Sequence, residues 1–266
     1  MSNNESLTNS STVLSKIDRA NALVVGASQG IGLGFVRALL QQNNVERIFA
    51  TYRTQETAGN LLALQQQHGD RLQCLVVDVT NESQISTAIA NIQESVEQLH
   101  LAIYCVGVLH DESLFPEKSL RQIEPEKLVY SFQVNSIGAV LLAKHLMPLF
   151  KKTQYSIFAA ISAKVGSIGD NRLGGWYGYR ASKAALNMFL KTTAIEYSRR
   201  CPKTIVIALH PGTTDTRLSQ PFQKNVPPAK LFAVEHTVNL LSKVISALEM
   251  KDSGEFFAWD GTQLPW

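Results

Sequence analysis

Apolar residues along this chain fall into two alternating patterns. Short runs with no polar member, such as Ala22-Leu23-Val24-Val25 and residues 205–209, read as strands covered on both sheet faces. Longer stretches between them repeat their apolar positions every three to four residues, as helices with one face on a core do. Strands are predicted at 22–25, 47–52, 72–77, 101–105, 156–161, 205–209 and 255–258. Helices are predicted over 31–42, through a Leu- and Gln-rich stretch before residue 72, from near Ser83, and over 125–150, 176–200 and 235–248. Asn81 or Ser83 suits the cap of the third helix, and Pro125 suits a first helical turn. Regular strand–helix alternation predicts an α/β protein with a mainly parallel sheet. No repeat, linker or composition break divides the 266 residues. One domain over 19–266 is therefore expected, behind a polar tail at 1–18 that lacks the features of a signal peptide.

Composition narrows the function classes. A formal net charge of +3, without long basic runs, argues against nucleic acid or an anionic membrane as partner. No apolar stretch approaches the ~20 residues that span a bilayer, so a cytoplasmic protein is expected. Cys74, Cys105 and Cys201 are far apart, with neither CxxC spacing nor paired histidines. No metal site or disulfide framework is indicated.

Candidate chemistry centres on Tyr179-Arg180-Ala181-Ser182-Lys183. Residues four apart share a helix face. A cation beside a phenol favours the phenolate and lowers its pKa from ~10, which makes a plausible general acid/base. Tyr177 has only Ala181 at the matching distance, so Tyr179 is the better candidate. Asn135 lies on an apolar stripe with Phe132, Ala139, Leu142 and Leu146, where a buried amide must find hydrogen bonds. Gly26-Ala27-Ser28-Gln29-Gly30-Ile31-Gly32 joins the first strand to the first helix. Such a turn offers amides and a helix N-terminus to a pyrophosphate. Its spacing is not the G-x-G-x-x-G fingerprint, and helix–sheet packing alone would also explain the glycines.

In this order, the glycine turn, Asp78-Val79, Asn135, Tyr179 with Lys183, and Pro211-Gly212 resemble the short-chain dehydrogenase/reductase superfamily. Residues 165–187 are similar to its C-factor-like and insect carbonyl reductase-like members. The resemblance implies a single-domain Rossmann-type doubly wound fold with a seven-stranded sheet, binding NAD(H) or NADP(H) at the strands' carboxyl ends. Gly26, Ser28, Gly30, Ile31 and Gly32 would line the pyrophosphate. Asp78 would meet the adenine amino group, unless it is a turn or cap residue, and Val79 the ring. Gly107 would allow close approach to the ribose; Pro211, Gly212 and Thr213 would hold the nicotinamide amide, and Thr216 the pyrophosphate or carboxamide. Tyr179 would exchange the proton, Lys183 would hold the ribose and tune Tyr179, and Asn135 would anchor a water relay.

Two departures stand out. Tyr104-Cys105-Val106-Gly107 replaces the usual Asn-Asn-Ala-Gly, and Ala163 stands where the family has its catalytic serine. Either Ser162, through a local bend, or Ser167 is left as a donor to the substrate carbonyl. Losing such a donor costs ~10²–10³ in rate. The second strand ends Ala50-Thr51-Tyr52-Arg53 without an acidic residue to meet a ribose 2′-OH. Arg53 can pair with a 2′-phosphate, or be a solvated charge; the first predicts NADP(H) over NAD(H). A loop at 217–234 with mixed apolar content suits a substrate lid. The expected activity is reduction of a small carbonyl compound, or oxidation of the alcohol, by a homodimer or homotetramer. The alternative is a nucleotide-binding signalling or regulatory protein of the same fold with little turnover.

Overall fold

The computed structural model describes residues 14, 17–151 and 154–266. Most of the expected polar tail lies outside these. Leu14 is buried, and the carbonyls of Leu14 and Ile17 accept from Asn44 Nδ2 at 2.8 and 3.0 Å, so packing begins ahead of residue 19.

In chain order the main elements are β1 (Ala20–Val25), α1 (Gly30–Leu40), β2 (Val45–Tyr52), α2 (Gly59–His68), β3 (Leu72–Val76), α3 (Glu82–Ser95) and β4 (Leu101–Tyr104). There follow α4 (Pro125–Phe132), α5 (Gly138–Phe150), β5 (Ser156–Ile161), α6 (Tyr177–Arg200) and β6 (Thr204–His210). The chain closes with β7 (Thr213–Thr214), β8 (Leu231–Phe232), α7 (Val234–Ala247) and β9 (Phe256–Ala258). Seven strands pair in parallel in the order β3-β2-β1-β4-β5-β6-β9. β7 and β8 form a small separate ladder that the apolar pattern did not announce.

Successive strand residues face opposite ways, and here both ways are buried. Ile48, Ala50, Ile103 and Ile207 join Phe35, Leu39 and Leu241 from α1 and α7. Phe49, Ala102, Phe158 and Val206 join Ile89, Leu146 and Leu190 from α3, α5 and α6. That double burial explains the strands without polar alternation. β1 and β4 are neighbours, and the connection leaving β1 runs to β2 on one side while that leaving β4 runs to β5 on the other. A crevice at such a switch point is where doubly wound sheets bind ligands.

Asn81 caps α3, its Oδ1 accepting from the Gln84 amide at 3.2 Å. The helix expected over 125–150 is not continuous. A π-helical turn, Gln133–Ile137, separates α4 from α5. Tertiary contacts favour the wider turn over a regular helix: Tyr104 Oη donates to Val134 O at 2.7 Å, and Asn135 is tied to the strand-four loop. Among the described residues no helix is long and apolar enough to cross a membrane.

Candidate active site

The turn after β1 depends on missing side chains. Gly26 and Gly30 have φ of 81° and 55°, a region costly for other residues. A Cβ on Gly32 would stand 2.1 Å from Gly26 O. On Gly30 it would stand 3.3 Å from Thr216 Cγ2, which brings the loop beyond β6 over the turn. No side chain caps α1, and its first turn carries no acidic residue. Ser28, Gly30 and Ile31 thus lie at the positive end of a helix dipole.

Arg53 follows β2 directly, is exposed, and makes no hydrogen bond or ion pair with the described residues. Asp78 serves the turn. Its Oδ1 accepts from the Thr80 amide (2.9 Å) and hydroxyl (2.7 Å), fixing the turn into α3. Val79 is buried against α5, where a Cβ on Gly138 would be 2.9 Å from it.

Deeper in, Gly107, Asn135 and Lys183 converge. A Cβ on Gly107 would be 3.3 Å from Asn135 Oδ1 and 3.4 Å from Lys183 Nζ. Asn135 accepts from the Val108 amide (2.7 Å) and donates to Val108 O (2.9 Å) and Ser182 Oγ (3.0 Å). It therefore locks the strand-four loop to the π turn and to α6. Lys183 is buried, donates to Ile161 O at 2.9 Å, and lies 5.9 Å from the centre of the Tyr179 ring.

Burial governs both titrating groups. It holds the Lys183 amine down at about 8 and pushes the half-buried Tyr179 phenol above its ordinary value. The phenol therefore moves opposite to the direction expected from a cationic neighbour. The amine points at a main-chain carbonyl, and loss of solvation outweighs its charge. A row of rings leads away from Tyr179: Trp176 edge to face at 6.2 Å, Phe222 tilted at 4.9 Å from Trp176, and His110 edge to face at 5.7 Å from Phe222. Phe222 brings the loop at 217–234 to the site. That loop is largely 3-10 turn, with Gln220–Asn225 and Pro228–Lys230 ahead of β8.

Neither candidate serine presents a spare hydroxyl. Ser162 is buried and donates to Asn187 Oδ1 at 2.6 Å. Ser167 is buried, donates to Trp266 O at 3.3 Å and accepts from the Asp170 amide at 3.1 Å. Ser162 is turned instead to Asn187 on α6. Beyond β6, Gly212 (φ 72°) fits where a Cβ would be 2.8 Å from the Phe232 ring, and Pro211 and Thr213 flank it. Thr216 Oγ1 has only a long bond, 3.5 Å, to Thr214 O.

Some contributors escaped the sequence reading. Tyr104, where the family pattern has an asparagine, braces the π turn through Val134 O, a role its place in the sequence did not announce. His210 accepts from the Lys164 amide at 3.3 Å, and burial lowers it to about 4, so it is neutral at pH 7. Glu117 meets α6 from 61 residues away, a distance no local pattern reveals.

A parallel sheet with a glycine turn after its first strand is the architecture of dinucleotide-binding proteins, and the sequence agrees. Residues 20–227 match the short chain dehydrogenase family, to which this chain belongs. It is an oxidoreductase of that family and carbonyl reductase-like. The NADPH-bound carbonyl reductase from chicken fatty liver is 30% identical and superposes with a TM-score of 0.83, over 93% of this chain and 100% of that one. The carbonyl reductase Sniffer of D. melanogaster is 26% identical, with a TM-score of 0.82 over 94% of this chain and 100% of that one. C-signal of Myxococcus xanthus is 29% identical over 148 residues, 56% of this chain and 84% of that protein.

Proposed function

We propose that this enzyme reduces a small, partly apolar carbonyl compound with NADPH, or oxidises the corresponding alcohol. The observation that carries the reading is the convergence of Tyr179, Lys183, Asn135 and Gly107 beside the glycine turn.

The residues fit the cofactor. Gly26, Gly30 and Gly32 leave a backbone cradle that side chains would fill, at an uncapped helix start. The amides around Ser28, Gly30 and Ile31 would take the pyrophosphate, Asp78 the adenine, Lys183 the ribose, and the segment from Pro211 to Thr213 the carboxamide. Arg53, exposed and unpaired among the described residues, stands just after β2, where it would meet a 2′-phosphate. The bound NADPH of the chicken relative supports this preference. When bound, the cofactor supplies the hydride.

Tyr179 gives its proton to the carbonyl oxygen. Its raised pKa keeps the phenol protonated at neutral pH, the form that reduction requires. Lys183 would return the proton to Tyr179 through a water relay that Asn135 anchors. With Ala163 lacking a hydroxyl, and Ser162 and Ser167 engaged elsewhere, Tyr179 polarises the carbonyl without a serine partner. The expected cost is ~10²–10³ in rate relative to a site with that donor.

Purified protein should oxidise NADPH steadily with at least one member of a panel of ketones, aldehydes and quinones. Micromolar cofactor binding without turnover on any of them would favour the signalling or regulatory reading. Ala163 and the likeness to C-signal are what support that second reading.

A further inference from the structure

Helix α6 starts awkwardly. Trp176, just before it, has φ 55° and is the only non-glycine residue with positive φ among the described residues. It offers no side-chain cap, and the first turn has no acidic residue. The free amides of a helix start need acceptors. Glu117 supplies them from the segment that leaves Gly107 and approaches α4. Its main-chain carbonyl accepts from the Trp176 amide at 2.5 Å, and its Oε2 accepts from the Gly178 amide at 3.0 Å.

Glu117 is buried, 6% exposed, and the proton chemistry above makes no use of it. A buried carboxylate is costly unless bonded, and the positive end of a helix suits it. The fit is tight. A Cβ on Gly178 would be 2.9 Å from Glu117 Oε1 and 3.0 Å from Leu128 Cδ2. Across the same turn the Arg180 guanidinium donates to Gly175 O (2.9 Å) and Val165 O (3.2 Å). Between Gly178 and Arg180 stands Tyr179.

We propose that Glu117 is a positioning residue for Tyr179: its carbonyl and carboxylate clamp the first turn of α6 to the strand-four loop and so fix the phenol relative to Gly107 and Asn135. The inference rests on Tyr179 being the proton donor. It adds that the clamp's acceptor atoms, rather than the negative charge itself, set the geometry. Misplacing a reacting group by about 1 Å can cost ~10² in rate.

The test compares wild type, Glu117→Ala and Glu117→Gln. Glu117→Ala should lose about 10–100-fold in kcat while the Kd for NADPH stays within about two-fold. Glu117→Gln keeps an oxygen for the Gly178 amide and should stay within about three-fold of wild type. Unchanged kcat in Glu117→Ala would overturn the proposal. So would parallel loss of NADPH binding and kcat that glutamine does not rescue, since that marks a residue holding the fold alone. Amide hydrogen exchange through residues 176–180, read without substrate, should quicken in Glu117→Ala and not in Glu117→Gln; equal exchange in all three also overturns the clamp. A wild type that is itself inert while exchange responds as expected would sink the Tyr179 reading and leave the clamp standing.

Discussion

Lys183 carries a prediction whose sign is fixed by its surroundings. Burial holds its folded pKa at about 8 against an ordinary 10.5, so the folded chain releases this proton first. Between those values the unfolded state binds more protons, and stability rises with pH. Urea melts at successive pH should show wild type gaining on Lys183→Met from pH 8 to 10.5; parallel curves would contradict the assignment. Arg53 makes a second claim at this scale. Arg53→Asp should raise the KM for NADPH at least about ten-fold more than that for NADH, as loss of a charge-assisted phosphate contact requires. Equal effects would remove Arg53 from the cofactor site. The Tyr–Lys spacing was legible because it is local to one helix. The fate of the two serines was not: Ser162 turns to Asn187 and Ser167 to Trp266, partners 25 and 99 residues away.

Among elements, strand–helix alternation was readable because both faces of the sheet demand apolar residues. The interruption at Gln133–Ile137 was not, since every residue there is compatible with an ordinary helix. What widens the turn is contact with Tyr104 and the strand-four loop. Gly138 permits that approach: a Cβ there would be 2.7 Å from Tyr104 Oη and 2.9 Å from Val79 O. Gly138→Ala should therefore lose ~1–3 kcal/mol in denaturant melts, as overpacking does. Gly59→Ala, where a methyl meets nothing within 4 Å, should be neutral or better. Equal stability of the two variants would show that the close approach is not needed. The small β7–β8 ladder was also invisible beforehand, because two-residue strands carry no period to read.

At the scale of the whole molecule, the fold places three loops on one edge: the glycine turn after β1, the strand-four loop and the loop beyond β6. The proposed ligand and chemistry would meet there, where the connections leaving β1 and β4 diverge. Met188 and Ile195 on α6 and Val129 on α4 remain exposed apolar residues on the central helices. They are what would support the homo-oligomer that the family resemblance leads one to expect, and light scattering should then give a dimer or tetramer mass. A monomer at all concentrations would contradict it.

The central claim is that the Tyr179 phenol gives the proton during carbonyl reduction. The direct measurement pairs NADPH consumption with NADPH binding in wild type and Tyr179→Phe, using the best carbonyl substrate. Turnover should fall at least about 10³-fold while the Kd for NADPH stays within about two-fold, because the variant removes only a group used in the transition state. Turnover that survives the loss of that hydroxyl would contradict the account.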